Sequence, residues 1–131
     1  MEICVFYTSP KLGDIILQLP FVKAIAKHYN VNVTLCINKN INIGKILQKQ
    51  SYINSIIENP FRKGRFFLSD VFNLSKKLNE KNIDCAFILD KTKGPAIACN
   101  LARVKKIYGF GIGSQKYFVE KFPTLNRNDL R

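Results

Sequence analysis

A short segment near the start of the chain combines residue types that could hold and deprotonate a hydroxyl group. The segment reads Ser9-Pro10-Lys11-Leu12-Gly13-Asp14 and follows the apolar run Ile3 to Tyr7. The carboxylate of Asp14 could act as a general base, a role that typically contributes a rate factor of about 10²–10⁴. Ser9 and the amides around Gly13, with Lys11 beside them, could hold a hydroxyl or a phosphate. The structural alternative is that Asp14 simply caps the helix that begins here.

Two later segments carry positive charge directly after predicted strands. Arg62, Lys63 and Arg65 follow the third strand, and Lys91 and Lys93 follow the fourth. Guanidinium and ammonium groups pair well with phosphates and carboxylates, so two such loops on one edge would form an anion pocket. Each loop taken singly could equally be an ordinary solvated surface.

Alternating strands and helices must position these residues. The apolar runs predict five strands, at Ile3–Tyr7, Val31–Ile37, Ile53–Ile57, Ile83–Leu89 and Lys106–Phe110. The intervening segments predict helices over about 14–28, 38–48 and 66–79, and a last helix that follows the loop 91–95 and ends near residue 103. This alternation is typical of a three-layer α/β domain with a parallel sheet. Right-handed crossovers would then bring the loops after the strands, with Asp14 and the basic residues, to one edge.

The first helix is expected to be buried around most of its circumference. Only a narrow polar stripe formed by Lys23 and Lys27 interrupts its apolar surface. Pro20 lies inside the predicted helix and removes one backbone hydrogen bond, so we expect a kink there.

Composition limits the class of protein and of partner. The chain has 131 residues, of which 47% are hydrophobic, enough for one folded domain. Its formal net charge of +12 favours anionic partners, although the basic residues are spread along the chain and compositional bias could contribute. No apolar run reaches the roughly 20 residues that span a bilayer. No signal peptide is visible at Met1-Glu2, so we expect a cytoplasmic protein.

The cysteines and the glycine-rich segment have structural explanations. The four cysteines, at positions 4, 36, 85 and 99, have no metal-ligand spacing, so we expect buried free thiols, with a disulfide or metal role as the alternative. The segment Gly109-Phe110-Gly111-Ile112-Gly113 follows the last strand and lacks the spacing of a dinucleotide-binding loop. The sequence has no Asp-x-Asp pair, HExxH or Walker loop, so a metal-dependent transfer mechanism finds no ligands in it.

Several motifs, in the right order, resemble the N-terminal part of glycosyltransferase family 9, the lipopolysaccharide heptosyltransferases. They are Ser9-x-x-x-Gly13-Asp14 with Leu19-Pro20, then Val33-Thr34-Leu35, Ile53-Asn54-Ser55-Ile56-Ile57, Asp84-Cys85-Ala86-Phe87-Ile88-Leu89-Asp90 and Lys106-Ile107-Tyr108-Gly109-Phe110. The match covers about residues 2–112.

The resemblance implies a fold, a mechanism and site residues. The fold is a Rossmann-like α/β domain, the N-terminal half of a GT-B glycosyltransferase. The activity is inverting, metal-independent sugar transfer, with no cofactor besides a nucleotide-sugar donor such as ADP-heptose. The family's catalytic aspartate corresponds to Asp14, and the basic residues that meet its acceptor correspond to Arg62, Lys63, Arg65 and Lys93. From their place beside Asp14, we also expect Ser9, Lys11 and Gly13 to bind the acceptor.

The resemblance also implies domains and partners. Residues 1–113 would form the acceptor-binding domain, and 114–131 a weakly patterned tail toward a C-terminal donor domain outside this sequence. The expected partners are an anionic glycolipid acceptor and the nucleotide sugar, with contact at the inner face of the inner membrane. Without the donor domain we expect no sugar transfer, unless a separate chain supplies it.

The rival interpretation is a stand-alone basic module that binds nucleic acid or an anionic membrane surface. It would explain the charge and the length without catalysis. Against nucleic acid, the sequence contains no RNA-binding aromatic motif and no recognisable helix-turn-helix.

Overall fold

The architecture comes from a computed structural model that describes residues 1–7, 12–38, 49–59, 68–89, 93–109, 115 and 118–120. In chain order the elements are β1 (Ile3–Tyr7), α1 (Leu12–Tyr29), β2 (Val33–Asn38), β3 (Ile53–Asn59), α2 (Leu68–Glu80), β4 (Cys85–Ile88), α3 (Gly94–Leu101) and β5 (Lys106–Tyr108). Each agrees with a predicted element to within a few residues. The helix predicted over about 38–48 lies outside the described residues.

The five strands that the structure describes form one parallel sheet in the order β3-β2-β1-β4-β5. The predicted α/β fold with a parallel sheet is therefore confirmed. Because the strands are parallel, their carboxyl ends share one edge of the sheet, which we call the carboxyl edge, and their starts share the amino edge.

Helices cover both faces of the sheet, which makes the three layers. Side chains of β1 alternate between the faces: Cys4 and Phe6 pack with buried residues of α2 and α3, such as Leu74. Ile3 and Val5 instead pack with residues of α1 such as Ile25. Burial on both faces explains why β1 is apolar at every position.

Much of the circumference of α1 is exposed, so the expectation that most of it is covered is wrong. Val22, Ile25 and Ala26 are buried against the sheet. Leu17 and Phe21, in contrast, are 74% and 49% exposed. A helix in the outer layer meets the sheet along one face only, which leaves these two large side chains in water. Pro20 lies inside α1, and the kink there stays a prediction.

Residues after β5 extend the same sheet. The Glu120 amide donates a 2.7 Å hydrogen bond to the Ile107 carbonyl, and the Gly109 amide donates a 3.0 Å bond to the Glu120 carbonyl. A Cβ at Gly109 would lie 3.0 Å from Val119 Cγ1 and 3.1 Å from Gln115 Oε1. Close packing therefore explains this glycine of the glycine-rich segment.

All four cysteines are buried and carry free thiols, as expected from the sequence. Burial, reinforced by the neighbouring thiols of Cys36 and Cys99, raises the pKa of Cys4. The pKa of Cys99 is raised in the same way, chiefly by burial. Burial and the nearby Asp84 carboxylate raise the pKa of Cys85 to about 12.

These raised pKa values predict that the protein loses stability in alkali. The unfolded chain releases thiol protons near pH 8.5, whereas the folded protein retains the Cys85 proton up to about pH 12. The unfolded state therefore binds fewer protons in this window, and the free energy of unfolding falls as pH rises. Each such thiol contributes a fall of up to about 1.4 kcal/mol per pH unit. Urea denaturation between pH 7.5 and 10 should show the fall.

The variant Cys85→Ala is the matched comparison, because it removes one of these protons and leaves the tyrosines and lysines in place. Its unfolding free energy should decrease less steeply with pH than that of the unmodified protein. Identical slopes would show that Cys85 has an ordinary pKa in the folded state.

Candidate functional site

The strand order changes direction at the carboxyl edge between β1 and β4. From β1 the chain continues through α1 to β2 on one side, and from β4 through α3 to β5 on the other. The two helices also lie on opposite faces of the sheet. In open α/β sheets this reversal leaves a crevice outside the carboxyl ends, where ligands bind. We call it the β1/β4 crevice.

The backbone of Asp14 lies on the β1 side of this crevice. With Gly13 it belongs to the first turn of α1, which begins at Leu12, shortly after the last residue of β1. The first four amides of a helix have no partner within the helix, and the helix dipole favours negative charge there. The position therefore suits an ionised carboxylate, as both the catalytic and the capping interpretation require. The Asp14 side chain lies outside what the structure describes.

Lys93 lies on the β4 side of the same crevice. It immediately precedes α3, at backbone angles φ −92° and ψ −24°, and its side chain makes no capping hydrogen bond. The Lys93 carbonyl accepts a 2.9 Å hydrogen bond from the Ile97 amide, but a positive charge at a helix N-terminus opposes the helix dipole, so the Lys93 charge gains nothing from the dipole of α3. Its ammonium and the N-terminal amides of α3 would instead both attract an anion.

The remaining predicted site residues lie outside the described residues; they are Ser9, Lys11, Arg62, Lys63 and Arg65. The strands and helices that these residues connect show which edge of the sheet the two connections belong to. Residues 8–11 join β1 to α1, and residues 60–67 join β3 to α2. Both connections therefore start and end at the carboxyl edge. β3 is two strands from β1, about 10 Å at the usual strand spacing.

The sequence did not single out several residues that the structure places at the carboxyl edge. Asn59 is the last residue of β3 and is buried, although it is polar. Leu68 and Phe72, at the start of α2, are 67% and 59% exposed. Ile16 and Leu17, near the start of α1, are also exposed. For the four helix residues, the signal in the sequence was an apolar side chain at a position where a helix surface is normally polar; Asn59 gave no such signal.

Comparison with known proteins shows the fold. No protein-family model matches the chain, and no curated protein matches it. Heptosyltransferase II of Escherichia coli, described as an ADP-heptose LPS heptosyltransferase, superimposes with a TM-score of 0.73 at 17% identity, over 98% of this chain and 36% of that chain. A family 9 glycosyltransferase from Veillonella parvula superimposes with a TM-score of 0.73 at 20% identity, over 96% of this chain and 36% of that chain. MurG of Acinetobacter baumannii superimposes with a TM-score of 0.67 at 11% identity, over 95% of this chain and 43% of that chain.

These neighbours confirm the resemblance seen in the sequence at the level of fold. At identities this low, the superpositions show a shared Rossmann-like architecture and do not by themselves assign an activity. The chain spans little more than a third of the length of heptosyltransferase II and of the family 9 glycosyltransferase.

Proposed function

We propose that this chain is the acceptor-binding part of an inverting, metal-independent glycosyltransferase of the heptosyltransferase type. The observation that carries the proposal is the position of Asp14, in the first turn of α1 beside the β1/β4 crevice. A fold shared with two glycosyltransferases over nearly the whole chain supports it. The proposal places residues 1–113 in the acceptor domain and the donor-binding residues in a further domain.

In the proposed reaction, an acceptor hydroxyl oxygen attacks the anomeric carbon of the nucleotide sugar. The bond between this carbon and the phosphate oxygen breaks, and the nucleoside diphosphate leaves with the electron pair. The hydroxyl proton passes to the carboxylate of Asp14. A single displacement of this kind inverts the anomeric configuration. Because the hydroxyl becomes acidic only as the new bond forms, a carboxylate is a sufficient base.

The basic residues would hold the acceptor in place. Lys93 at the crevice, with Arg62, Lys63 and Arg65 in the connection after β3, could pair with phosphates or carboxylates of an anionic glycolipid. Such fixed pairs remove much of the orientational freedom that the acceptor would otherwise lose in the transition state. The nucleotide sugar would bind between this domain and the donor domain.

Contact with an anionic membrane surface is part of the proposal, because a glycolipid acceptor is membrane-bound. Leu17 and Phe21 are exposed apolar side chains on α1, and the net charge of +12 would attract anionic lipids. Within the described residues, no helix is both long enough and apolar enough to cross a bilayer.

A binding experiment with charge-matched variants separates this proposal from the nucleic-acid alternative. The probes are a phosphorylated lipid A-type glycan and random RNA, each at two salt concentrations. The variant R62Q/K63Q/R65Q should bind the glycan at least tenfold more weakly. The control K76Q/K77Q/K81Q removes the same charge from exposed lysines in and directly after α2, and it should keep its glycan affinity.

Two outcomes would contradict the proposal. Tight, salt-sensitive RNA binding without glycan affinity would favour the nucleic-acid module. Equal loss of glycan binding in both variants would show that overall charge, rather than the loop after β3, attracts the glycan.

A further inference from the structure

A cavity lies at the amino edge of the sheet, at the opposite end of the strands from the β1/β4 crevice. Its volume of about 510 Å³ is within the usual range for small-molecule sites. We call it the β4/β5 cavity, because most of its described lining belongs to these two strands or directly precedes them. The described lining includes Tyr29 at the end of α1, Asp84 and Cys85, and Lys105, Lys106 and Tyr108.

The strand order explains why β5 is only partly covered on the α1 side. The chain leads through α1 from β1 to β2, away from β4 and β5. The helices α2 and α3 pack on the other face of the sheet. Of the described helices, none is therefore placed to cover β5 on the α1 side. Tyr108, the last residue of β5, is half-buried there.

Three aromatic rings stand together beside the β4/β5 cavity. The buried ring of Phe87 forms their base, with its centroid 5.0 Å from that of Tyr108 and 5.8 Å from that of Tyr29. Contact with a buried ring holds both tyrosine rings in place, and both tyrosines line the cavity and are half-buried. Aromatic rings gain energy from stacking on other rings, beyond the apolar area that they bury. The uncovered parts of the two tyrosine rings are therefore a prepared surface for another flat ring.

The groups closest to these rings are neutral. Burial raises the pKa of Tyr29, and the neighbouring Cys85 thiol and Tyr108 hydroxyl raise it further. The Tyr29 hydroxyl thus stays protonated at neutral pH and can donate a hydrogen bond. The Cys85 thiol, whose pKa is raised to about 12 chiefly by burial, also keeps its proton.

The charges around the cavity have both signs, and two of them are engaged within the fold. The Asp84 carboxylate accepts a 3.0 Å hydrogen bond from the Glu2 amide. The Lys106 ammonium lies 3.8 Å from the Glu120 carboxylate. The described lining therefore selects a ligand by its flat apolar shape more than by its charge.

We propose that the β4/β5 cavity binds a small planar aromatic molecule, which stacks against the rings of Tyr29 and Tyr108. This site is independent of the proposed sugar transfer, because it lies at the other end of the strands from the crevice. An apolar molecule of the same size without a flat ring would bury similar area but would gain no stacking energy. The two kinds of molecule are therefore the matched probes for the site.

Amide NMR of the whole chain, titrated with 2-naphthol and with its saturated analogue decahydro-2-naphthol, tests the site. Both compounds have the same carbon skeleton and one hydroxyl group, and both are uncharged at neutral pH, so the net charge of the protein does not affect the comparison. We expect saturable shifts at Tyr29, Cys85 and Tyr108 with 2-naphthol. The saturated compound should bind about threefold to tenfold more weakly.

The variant Tyr108→Leu should also weaken 2-naphthol binding by about threefold to tenfold, because leucine is apolar but offers no ring to stack on. Its control is Tyr52→Leu, which replaces another half-buried tyrosine at the amino edge, one that does not line this cavity. The control should change the dissociation constant by less than about twofold. The comparison of the two compounds needs no variant, so it tests the proposal even if Tyr108→Leu does not fold.

Three results would overturn the proposal. Equal affinity for the two compounds would show that the cavity does not recognise a flat ring. Equal weakening in Tyr108→Leu and Tyr52→Leu would show that the effect does not come from this cavity. Shifts only around Leu17 and Phe21 would place the aromatic compound on the exposed apolar side chains of α1.

Discussion

Replacing Asp14 by asparagine should lower sugar transfer by about 10²–10⁴-fold while leaving acceptor affinity nearly unchanged. The asparagine has almost the same shape but cannot accept the proton of the attacking hydroxyl. The measurement requires a donor site, which a chimera of residues 1–131 with the remaining part of heptosyltransferase II would supply. Turnover and acceptor binding are then compared between the chimera and its Asp14→Asn variant.

Asp70 offers a matched control within the same chain. It lies in the first turn of α2, which like α1 begins at the carboxyl edge with an aspartate as its third residue. Loss of helix-dipole stabilisation, about 0.3–1 kcal/mol, should therefore be similar in Asp70→Asn and Asp14→Asn. Only Asp14→Asn should impair turnover. If turnover is unchanged, Asp14 has no part in catalysis and the capping interpretation is correct.

Replacing Phe87 by alanine should destabilise the fold by about 3–5 kcal/mol. Phe87 lies in β4 and is 1% exposed. Its ring centroid is 5.0 Å from that of Tyr108 and 5.8 Å from that of Tyr29, so it joins β5 and α1 to the centre of the sheet. The loss is a large part of the 5–15 kcal/mol that stabilises a typical domain. Urea denaturation followed by far-UV circular dichroism measures it.

Phe72→Ala is the control, because this side chain in α2 is 59% exposed. Its unfolding free energy should stay within about 0.5 kcal/mol of the unmodified protein. If Phe87→Ala does not fold in water, Phe87→Leu, which leaves a smaller cavity, should give an intermediate and measurable loss. Equal urea-denaturation midpoints for the Phe87 and Phe72 variants would show that the packing around β4 contributes little to the stability of the fold.

Local pattern was sufficient to predict the elements of this fold. The apolar run at the start of the chain predicted β1 with the observed bounds, Ile3–Tyr7, because a strand buried on both faces is apolar at every position. The position of Asp14 at a helix start and that of Lys93 in the connection after β4 also followed from the sequence. Each depends only on where one strand ends and the next helix begins.

The tertiary structure alone decided which elements are neighbours. The order β3-β2-β1-β4-β5 places the starts of α1 and α3 at one crevice and the connection after β3 two strands away. It also left Leu17 and Phe21 exposed on a helix that the sequence predicted to be buried. It also places the last turns of α1 beside Tyr52, which is far along the chain. The spacing of apolar residues shows whether a segment is a helix or a strand, because it follows the period of the local backbone. The order of the strands and the exposure of a helix depend instead on packing between segments that are far apart in the chain. No local pattern in the sequence encodes that packing.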